Sequence, residues 1–241
     1  MPDKEEQAMR RISLAQSGRR MKMPLVLMLF LAWFFARGNS DSGLSQQDFL
    51  EQFERKRKKV ETFAADFVQK KTLPLFDEEK ISTGQVLFKT PHRMIWKYTS
   101  PDKTEMKVTN ESVSFYFPAL EQIEVYRMEQ GKGAAPFFFA FEATAGEIKE
   151  NFTLAGPVGA DGLQKVELHP KTDPLAAEVK SVALWLAEAD YLPRKILIHE
   201  VTGDTTEITF SNVRINQLIS DEELEFDAPK GTAVIEGNSS L

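Results

Sequence analysis

Few residues in this 241-residue chain are placed to do covalent chemistry. The three histidines, His92, His169 and His199, do not stand at metal-ligand spacing from one another or from a cluster of acids. Cysteine is absent, which removes a thiol nucleophile, a disulfide framework, a cysteine-based zinc site and a lipid anchor on cysteine. The sequence contains neither Gly-x-Ser-x-Gly nor a glycine-rich phosphate loop. Acids are plentiful, but no pair is singled out by an apolar setting, and Asp77-Glu78-Glu79 reads as a solvated loop. The expectation is therefore a protein that is not an enzyme and uses no cofactor or metal. What remains is apolar surface, concentrated between Gly84 and Gln122, where large apolar side chains recur at every second residue.

That alternation defines candidate binding residues. In a strand, residues i and i+2 share a face. Met94, Trp96 and Tyr98 then lie together, with Ile95 and Lys97 opposite; Val113, Phe115 and Phe117 form a second set, and Val86 and Phe88 a third. Upstream, Phe63, Ala65 and Phe67 alternate against Asp66 and Lys70. An ordinary packed core would use the same pattern. A binding wall is favoured by Pro136-Phe137-Phe138-Phe139-Ala140-Phe141, which is too apolar for a surface helix and follows Gly131 and Gly133, whose segment reads as a mobile hinge. A sheet concavity under an aromatic lid is a plausible lipid pocket. The candidate acyl-chain site is Phe63, Phe67, Val86, Phe88, Met94, Trp96, Val113, Phe115, Phe137, Phe138 and Phe141.

The elements that must hold these residues follow from period and punctuation. A helix is expected over 45–61, capped by Ser45 and Asp48, with Phe49, Leu50, Phe53 and Val60 on one side and the pairs Glu51/Arg55 and Glu54/Lys58 on the other. The run Arg55-Lys56-Arg57-Lys58-Lys59 reads as a solvated face, with a partner-docking patch as the alternative. Strands are expected at 62–70, 84–89, 93–98, 105–109, 112–117, 122–127, 151–155, 163–169, 179–187, 192–202, 205–213 and 224–227, with 73–80 an acidic, proline-bearing loop. A helix followed by many short strands implies a large antiparallel sheet with helices on one side.

Composition narrows the function. The chain is 42% hydrophobic and 27% charged, as expected of a soluble globular protein. Eighteen Phe against four Tyr and three Trp favour apolar contact over polar recognition. Residues 1–40 hold seven of the 30 Lys and Arg and three of the 36 acids, leaving 23 against 33, a net −10, for residues 41–241. An acidic body argues against nucleic-acid binding, which needs phosphate neutralisation. Near the start, Arg19-Arg20-Met21-Lys22 precedes a run of about 14 apolar residues from Met23 to Ala36, with small residues around Gly38 and Ser40. A basic flank, a short apolar run and small residues form a secretory signal, and the run is short of the roughly 20 residues that span a bilayer. The competing readings are an uncleaved anchor and a twin-arginine signal. The division expected is an N-terminal extension with signal peptide over 1–40 and a binding domain over 41–241.

Taken in order, several segments resemble one family. Thr62-Phe63-Ala64-Ala65-Asp66-Phe67-Val68-Gln69-Lys70 looks like its S-F-x-A-x-F-x-Q stretch. Gly84 to Pro91, then Trp96, then Pro101-Asp102 look like its G-x-L-x-x-K-R-P, W and P-D positions. Phe115-Tyr116-x-Pro118 with Glu121-Gln122, Pro136-Phe137, and Leu224-Glu225-Phe226-x-Ala228-Pro229-x-Gly231 match three later motifs. The family is that of LolA, the periplasmic carrier of outer-membrane lipoproteins. The resemblance implies a mainly β fold with some α: an unclosed antiparallel β-barrel of about eleven strands with helices covering the open side. It further implies a monomeric periplasmic chaperone whose apolar cavity shields lipoprotein acyl chains. Such a carrier takes cargo from an inner-membrane lipoprotein-releasing transporter and passes it to an outer-membrane receptor, where one exists. A free-lipid or glycolipid binder, or an envelope sensor, on the same fold is the alternative. One position departs from the pattern. The family's carriers carry an Arg just before the Pro that hydrogen-bonds the lid, and this chain has Thr90. Lys89 and Arg93 are the nearby cations, but alternation turns both away from the face of Thr90. The related receptor also lacks that Arg but is anchored through a lipidated Cys, which this chain does not have.

Overall fold

In the computed structural model, which describes residues 44–128, 140–171 and 175–237, period-two apolar patterning becomes one continuous sheet. The chain divides into Met1–Ser42, outside the described residues together with the expected signal, and Gly43–Leu241. Within the latter, helix α1 (Gln46–Arg57) precedes β1 (Thr62–Leu73), β2 (Glu78–Lys89), β3 (Arg93–Ser100), β4 (Thr104–Val108), β5 (Ser112–Phe117) and β6 (Gln122–Arg127). Then come α2 (Ala145–Asn151), β7 (Phe152–Ala160), β8 (Leu163–Pro170), α3 (Leu175–Glu178), β9 (Val179–Ala187), β10 (Pro193–Glu200), β11 (Thr205–Ile215) and β12 (Ala233–Glu236). The sheet order is β12-β6-β5-β4-β3-β2-β1-β11-β10-β9-β8-β7. The two edge strands do not pair with each other, so the sheet is an unclosed curl. Eleven strands are antiparallel; the twelfth, β12, joins β6 in parallel.

Bulges help the sheet to curl, since an extra residue in one strand bends it and increases its twist. Register shifts fall between Ala64 and Asp66 where β1 meets β11, and between Ala155 and Val158 in β7. Two more lie between β9 and β10, and Gly84 sits at a further shift, between β2 and β3, opposite Phe67 on one side and Tyr98 on the other. A Cβ there would lie 2.1 Å from the Lys97 carbonyl oxygen and 2.9 Å from the Phe67 ring, so the close approach of neighbouring strands requires glycine.

The helices cover the inner face. Ser45 caps α1 by accepting from the Asp48 N–H (3.1 Å), and Asp48 in the first turn complements the helix dipole. Phe49, Leu50 and Phe53 enter the main core with Ile148 of α2 and the inner residues of the strands. A second, smaller core lies on the outer face, where Ile219 and Leu224 bury Ala64 and Ile95. Asp221 fastens this outer cover through Lys89 (2.7 Å) and Arg93 (2.8 Å). Those two hydrogen bonds hold its carboxyl below the usual range.

Three expectations are corrected, and one helix was not expected. Helix α1 ends at Arg57, not at 61, because the chain turns at Lys58 and Lys59 to bring Val60 into the core and start β1 at Thr62. The 73–80 segment is not a loop: Pro74–Phe76 form a single 3-10 turn, Asp77 takes the left-handed conformation, and the strands pair from Leu73 and Glu78 onward. That hairpin tip leaves Leu75 and Phe76 85% and 71% exposed. Residues 224–227 are not a strand; Glu222–Leu224 form a 3-10 turn, and the segment spends its apolar side chains on the outer face instead of joining the ladder. Helix α2 has no counterpart in the expected elements, although Thr144 and Glu147 form a complete capping box ahead of it.

Gly84→Ala is expected to destabilise the fold by about 3 kcal/mol, since the contact it makes is with backbone that cannot yield. Urea unfolding of the full chain measures it; a loss under about 0.5 kcal/mol would contradict the tight approach at this position.

Candidate functional site

Strand register assembles most of the sequence-named residues into two rows across the inner face. Phe63 pairs with Phe88, Phe88 with Met94, Met94 with Val108, and Val108 with Val113, running from β1 to β5. One step along, Ala65, Val86, Trp96, Met106 and Phe115 form a parallel row. Directly opposed side chains are the contact unit of a sheet, so each row is a continuous apolar stripe. Phe63, Phe67, Val86, Phe88, Met94, Trp96 and Val113 are buried, and Phe115 is half-buried against the same core.

The rings form one connected cluster. Phe67 lies 4.9 Å from Trp96 and 5.0 Å from Tyr98, centre to centre, over the space that Gly84 leaves free. Phe210, on β11, lies 5.9 Å from Phe63 and 6.1 Å from Trp96. Phe141 closes the cluster from the helical side, 5.1 Å from Phe63, 5.4 Å from Phe88 and 6.3 Å from Phe210. These separations suit offset and edge-to-face ring contact. Phe141 thus covers the first row at Phe63 and Phe88.

Polar groups in this cluster are few and internally matched. The Trp96 indole N–H points at the Met94 sulfur (2.9 Å), and the Tyr98 hydroxyl donates to Gln69 (3.0 Å). Burial pushes the Tyr98 phenol above its ordinary pKa, so it stays neutral. Nothing in this lining offers a general base or a nucleophile, and among the described residues no group of three or more His, Cys, Asp or Glu could hold a metal ion. Chemically, the arrangement can exclude water and accommodate flexible hydrocarbon. An open cleft of about 390 Å³ between α1, α2 and β7, lined by Leu50, Ile148 and Phe152 with Gln46 and Lys171, involves none of the sequence-named residues.

Phe137 and Phe138, and the hinge read at Gly131 and Gly133, lie outside the described residues. Thr90 is tied to the start of β1: its N–H and hydroxyl both donate to the Glu61 carbonyl (2.9 and 3.2 Å). Lys89 and Arg93 are engaged by Asp221 on the outer face. Three residues around the cluster are not singled out by the sequence reading. Met106 and Phe210 sit in expected strands and are legible from alternation. Arg57 falls in the run expected to be a solvated basic face, yet it is buried. The signal is its spacing: Phe49, Phe53 and Arg57 stand four apart and share one helix face. On the other face, Glu51 accepts from Gln47 (3.1 Å) in place of the expected pair with Arg55, while Glu54 and Lys58 do pair (2.7 Å).

Comparison with known proteins places this geometry in context. Residues 58–227 match the family model described as outer membrane lipoprotein carrier protein LolA. An outer-membrane lipoprotein carrier protein of Ralstonia nicotianae is 25% identical over 154 residues, covering 64% of this chain and 69% of the relative. One from Idiomarina loihiensis is 23% identical over 211 residues, 87% of this chain and 96% of the relative. Among solved structures, an uncharacterized conserved protein from Thermus thermophilus superposes with a TM-score of 0.51 at 13% identity, covering 80% of this chain and all of that one; the likeness is one of fold.

The ring cluster makes a quantitative demand. Phe210→Ala should cost about 3–5 kcal/mol, because the rings around it cannot all collapse into the space left. Phe76→Ala at the exposed hairpin tip should stay within about 0.5 kcal/mol. Chemical denaturation of both variants checks the contrast, and equal effects would contradict the cluster.

Proposed function

The chain belongs to the LolA family of outer membrane lipoprotein carrier proteins, and from that premise we propose that it is a periplasmic chaperone that carries lipoprotein acyl chains against the inner face of its unclosed sheet. The observation that carries this reading is the pair of apolar rows from β1 to β5, which present Phe, Val, Met and Trp with almost no polar competitor. The expected signal over 1–40 supports export. The cargo arrives from an inner-membrane lipoprotein-releasing transporter and leaves toward the outer membrane. No covalent step is involved.

The energetics favour such a wall over a rigid slot. Each buried CH₂ contributes about 0.8 kcal/mol. A sixteen-carbon acyl chain therefore gains roughly 11 kcal/mol on leaving water, too much for it to cross an aqueous compartment uncovered. Full recovery of that energy would make release slow. In this protein the chain must first part rings that already pack on one another, which offsets part of the gain. Met94 and Met106 suit a lining that re-forms around different chains, because an unbranched thioether adapts to irregular space.

The test is what the protein holds when purified from its native host. Lipid extraction and mass spectrometry should find triacylated lipoprotein; free glycerophospholipid or glycolipid alone would replace the proposed cargo with a lipid. Trp96→Glu should lower loading by about tenfold or more, because a carboxylate in this lining has no partner. Unchanged loading would remove Trp96 from the acyl site.

A further inference from the structure

The inner face of the sheet carries a polar amide at a position that period two assigns to the core. Gln164 stands near the start of β8, in phase with Val166 and Leu168, which both belong to the main core. It is 7% exposed. Its amide is fixed in orientation: Nε2 donates to the Glu188 carboxylate (2.7 Å) in the β9–β10 turn, and Oε1 has no hydrogen-bond partner among the described residues. Room for the amide comes from Gly159, opposite on β7, where a Cβ would lie 3.0 Å from Nε2. An apolar side chain would complete the core at less cost, because a buried acceptor without a donor forfeits its hydration.

Gln164 lines an open cleft of about 360 Å³ with Leu44, Gln52, Lys56, Glu188 and Tyr191. The cleft lies between α1 and the β9–β10 turn, and none of the residues of the two apolar rows lines it. Its charges stand side by side without meeting. Lys56 donates to the backbone carbonyl of Glu188 and rests over the Tyr191 ring (4.8 Å), yet it forms no ion pair among the described residues. The Glu188 carboxylate accepts only from Gln164 among the same residues. The Tyr191 hydroxyl donates to Gln52 Oε1 (3.2 Å), which leaves Gln52 Nε2 for another acceptor. Gln52 and Lys56 are four apart and therefore neighbours on the helix surface. The sheet and its turn thus offer acceptors, and the helix offers donors.

We propose that this cleft binds a zwitterion of the ethanolamine phosphate type, its ammonium on Gln164 Oε1 and the Glu188 carboxylate and its phosphate on Lys56 and Gln52. An ammonium has three N–H groups and gives the buried Gln164 carbonyl the donor it lacks. A phosphate accepts charge-assisted hydrogen bonds from both helix donors. Since Lys56 and Glu188 do not pair with each other, a zwitterion with charges spaced by a two-carbon link matches them better than an α-amino acid, whose charges are adjacent. Leu44 and the Tyr191 ring offer apolar contact to that link. The chemistry is the same in a free phosphoethanolamine ester and in a phospholipid headgroup. The inference stands apart from the acyl site and does not depend on the carrier reading.

The experiment titrates the full chain by calorimetry with two matched pairs: glycerophosphoethanolamine against glycerophosphocholine, and lysophosphatidylethanolamine against lysophosphatidylcholine, each lysolipid below its micelle concentration. The ethanolamine member should bind about tenfold more tightly than its choline partner, because a trimethylated nitrogen has no N–H for Gln164. A preference in the soluble pair assigns a free ligand, and one confined to the lysolipid pair assigns a lipid headgroup; either upholds the site. Glu188→Gln and Lys56→Met should each weaken the ethanolamine compound by about tenfold. Gln164→Leu should abolish the preference while raising the thermal midpoint, a combination that a purely structural glutamine would not give. Glu188→Gln keeps the side-chain shape and guards against failure of Gln164→Leu to fold. Equal binding within both pairs, or no binding at all, would overturn the site, as would a preference that survives both Glu188→Gln and Gln164→Leu.

Discussion

Every second side chain of β1 to β5 is committed to one face of an unclosed sheet, and two adjacent rows of that face, from Phe63 to Val113 and from Ala65 to Phe115, are apolar throughout. It cannot be left to water, since each buried Phe, Val or Met is worth roughly 1.5–3 kcal/mol. A closed barrel would cover such a face with itself. Here the order of strands ends at β12 and β7, and the cover must come from elsewhere: Phe49, Leu50 and Phe53 of α1, Ile148 of α2, and Phe141. The arrangement of helices is thus a consequence of the sheet staying open. The same requirement makes the interior receptive, because a surface that needs only apolar coverage does not distinguish sharply between a phenyl ring and an alkyl chain.

The opposite face of the sheet shows the contrast. There the cover is a short segment carrying Ile219 and Leu224, fixed by Asp221 to both Lys89 and Arg93, and Phe226 lies between Tyr116 (5.8 Å) and the Lys107 ammonium (5.0 Å). Charged anchors at the margin and small apolar area suit a permanent lid over a few side chains. The inner face instead buries many large rings under a cover tied at its margins, by Gln46 to Leu154, Lys56 to Glu188, Gln52 and Arg57 to Tyr191, and Glu142 to His92. Two faces of one sheet are therefore closed by different means. The inner one has far more apolar surface and few polar ties that would specify a single occupant.

The strands and their faces were legible in the sequence because period two is local: Phe63, Ala65 and Phe67 declare a face without reference to the rest of the chain. The same holds for Met94 and Trp96, and for Val86 and Phe88. What escaped was decided at a distance. Ile95 is fully buried although its neighbour Lys97 marks the outer face, because the segment that covers it lies more than a hundred residues later. β12 pairs in parallel with β6, a return that no local pattern announces, and its four residues are all exposed. Among the five consecutive basic residues from Arg55 to Lys59, composition says only that the run is charged. Helix phase, counted from Phe49 and Phe53, singles out Arg57.

Thr90 and Arg57 are best understood through the same accounting of backbone polar groups. A carbonyl facing an apolar interior is out of reach of water and needs a donor from the protein. The resemblance to LolA places an Arg before Pro91 for such a purpose, and Thr90 cannot serve, being too short and already bonded to Glu61. On helix α1, a guanidinium four residues past Phe53 donates to the carbonyls of Ala140 and Tyr191. A donor on a helix and a donor on a strand turn satisfy the same carbonyl chemistry but tie different elements together. In this chain residues 140–142 are bonded at once to α1, through Arg57, and to the β2–β3 turn, through His92, so one short segment joins the covering helix to the sheet.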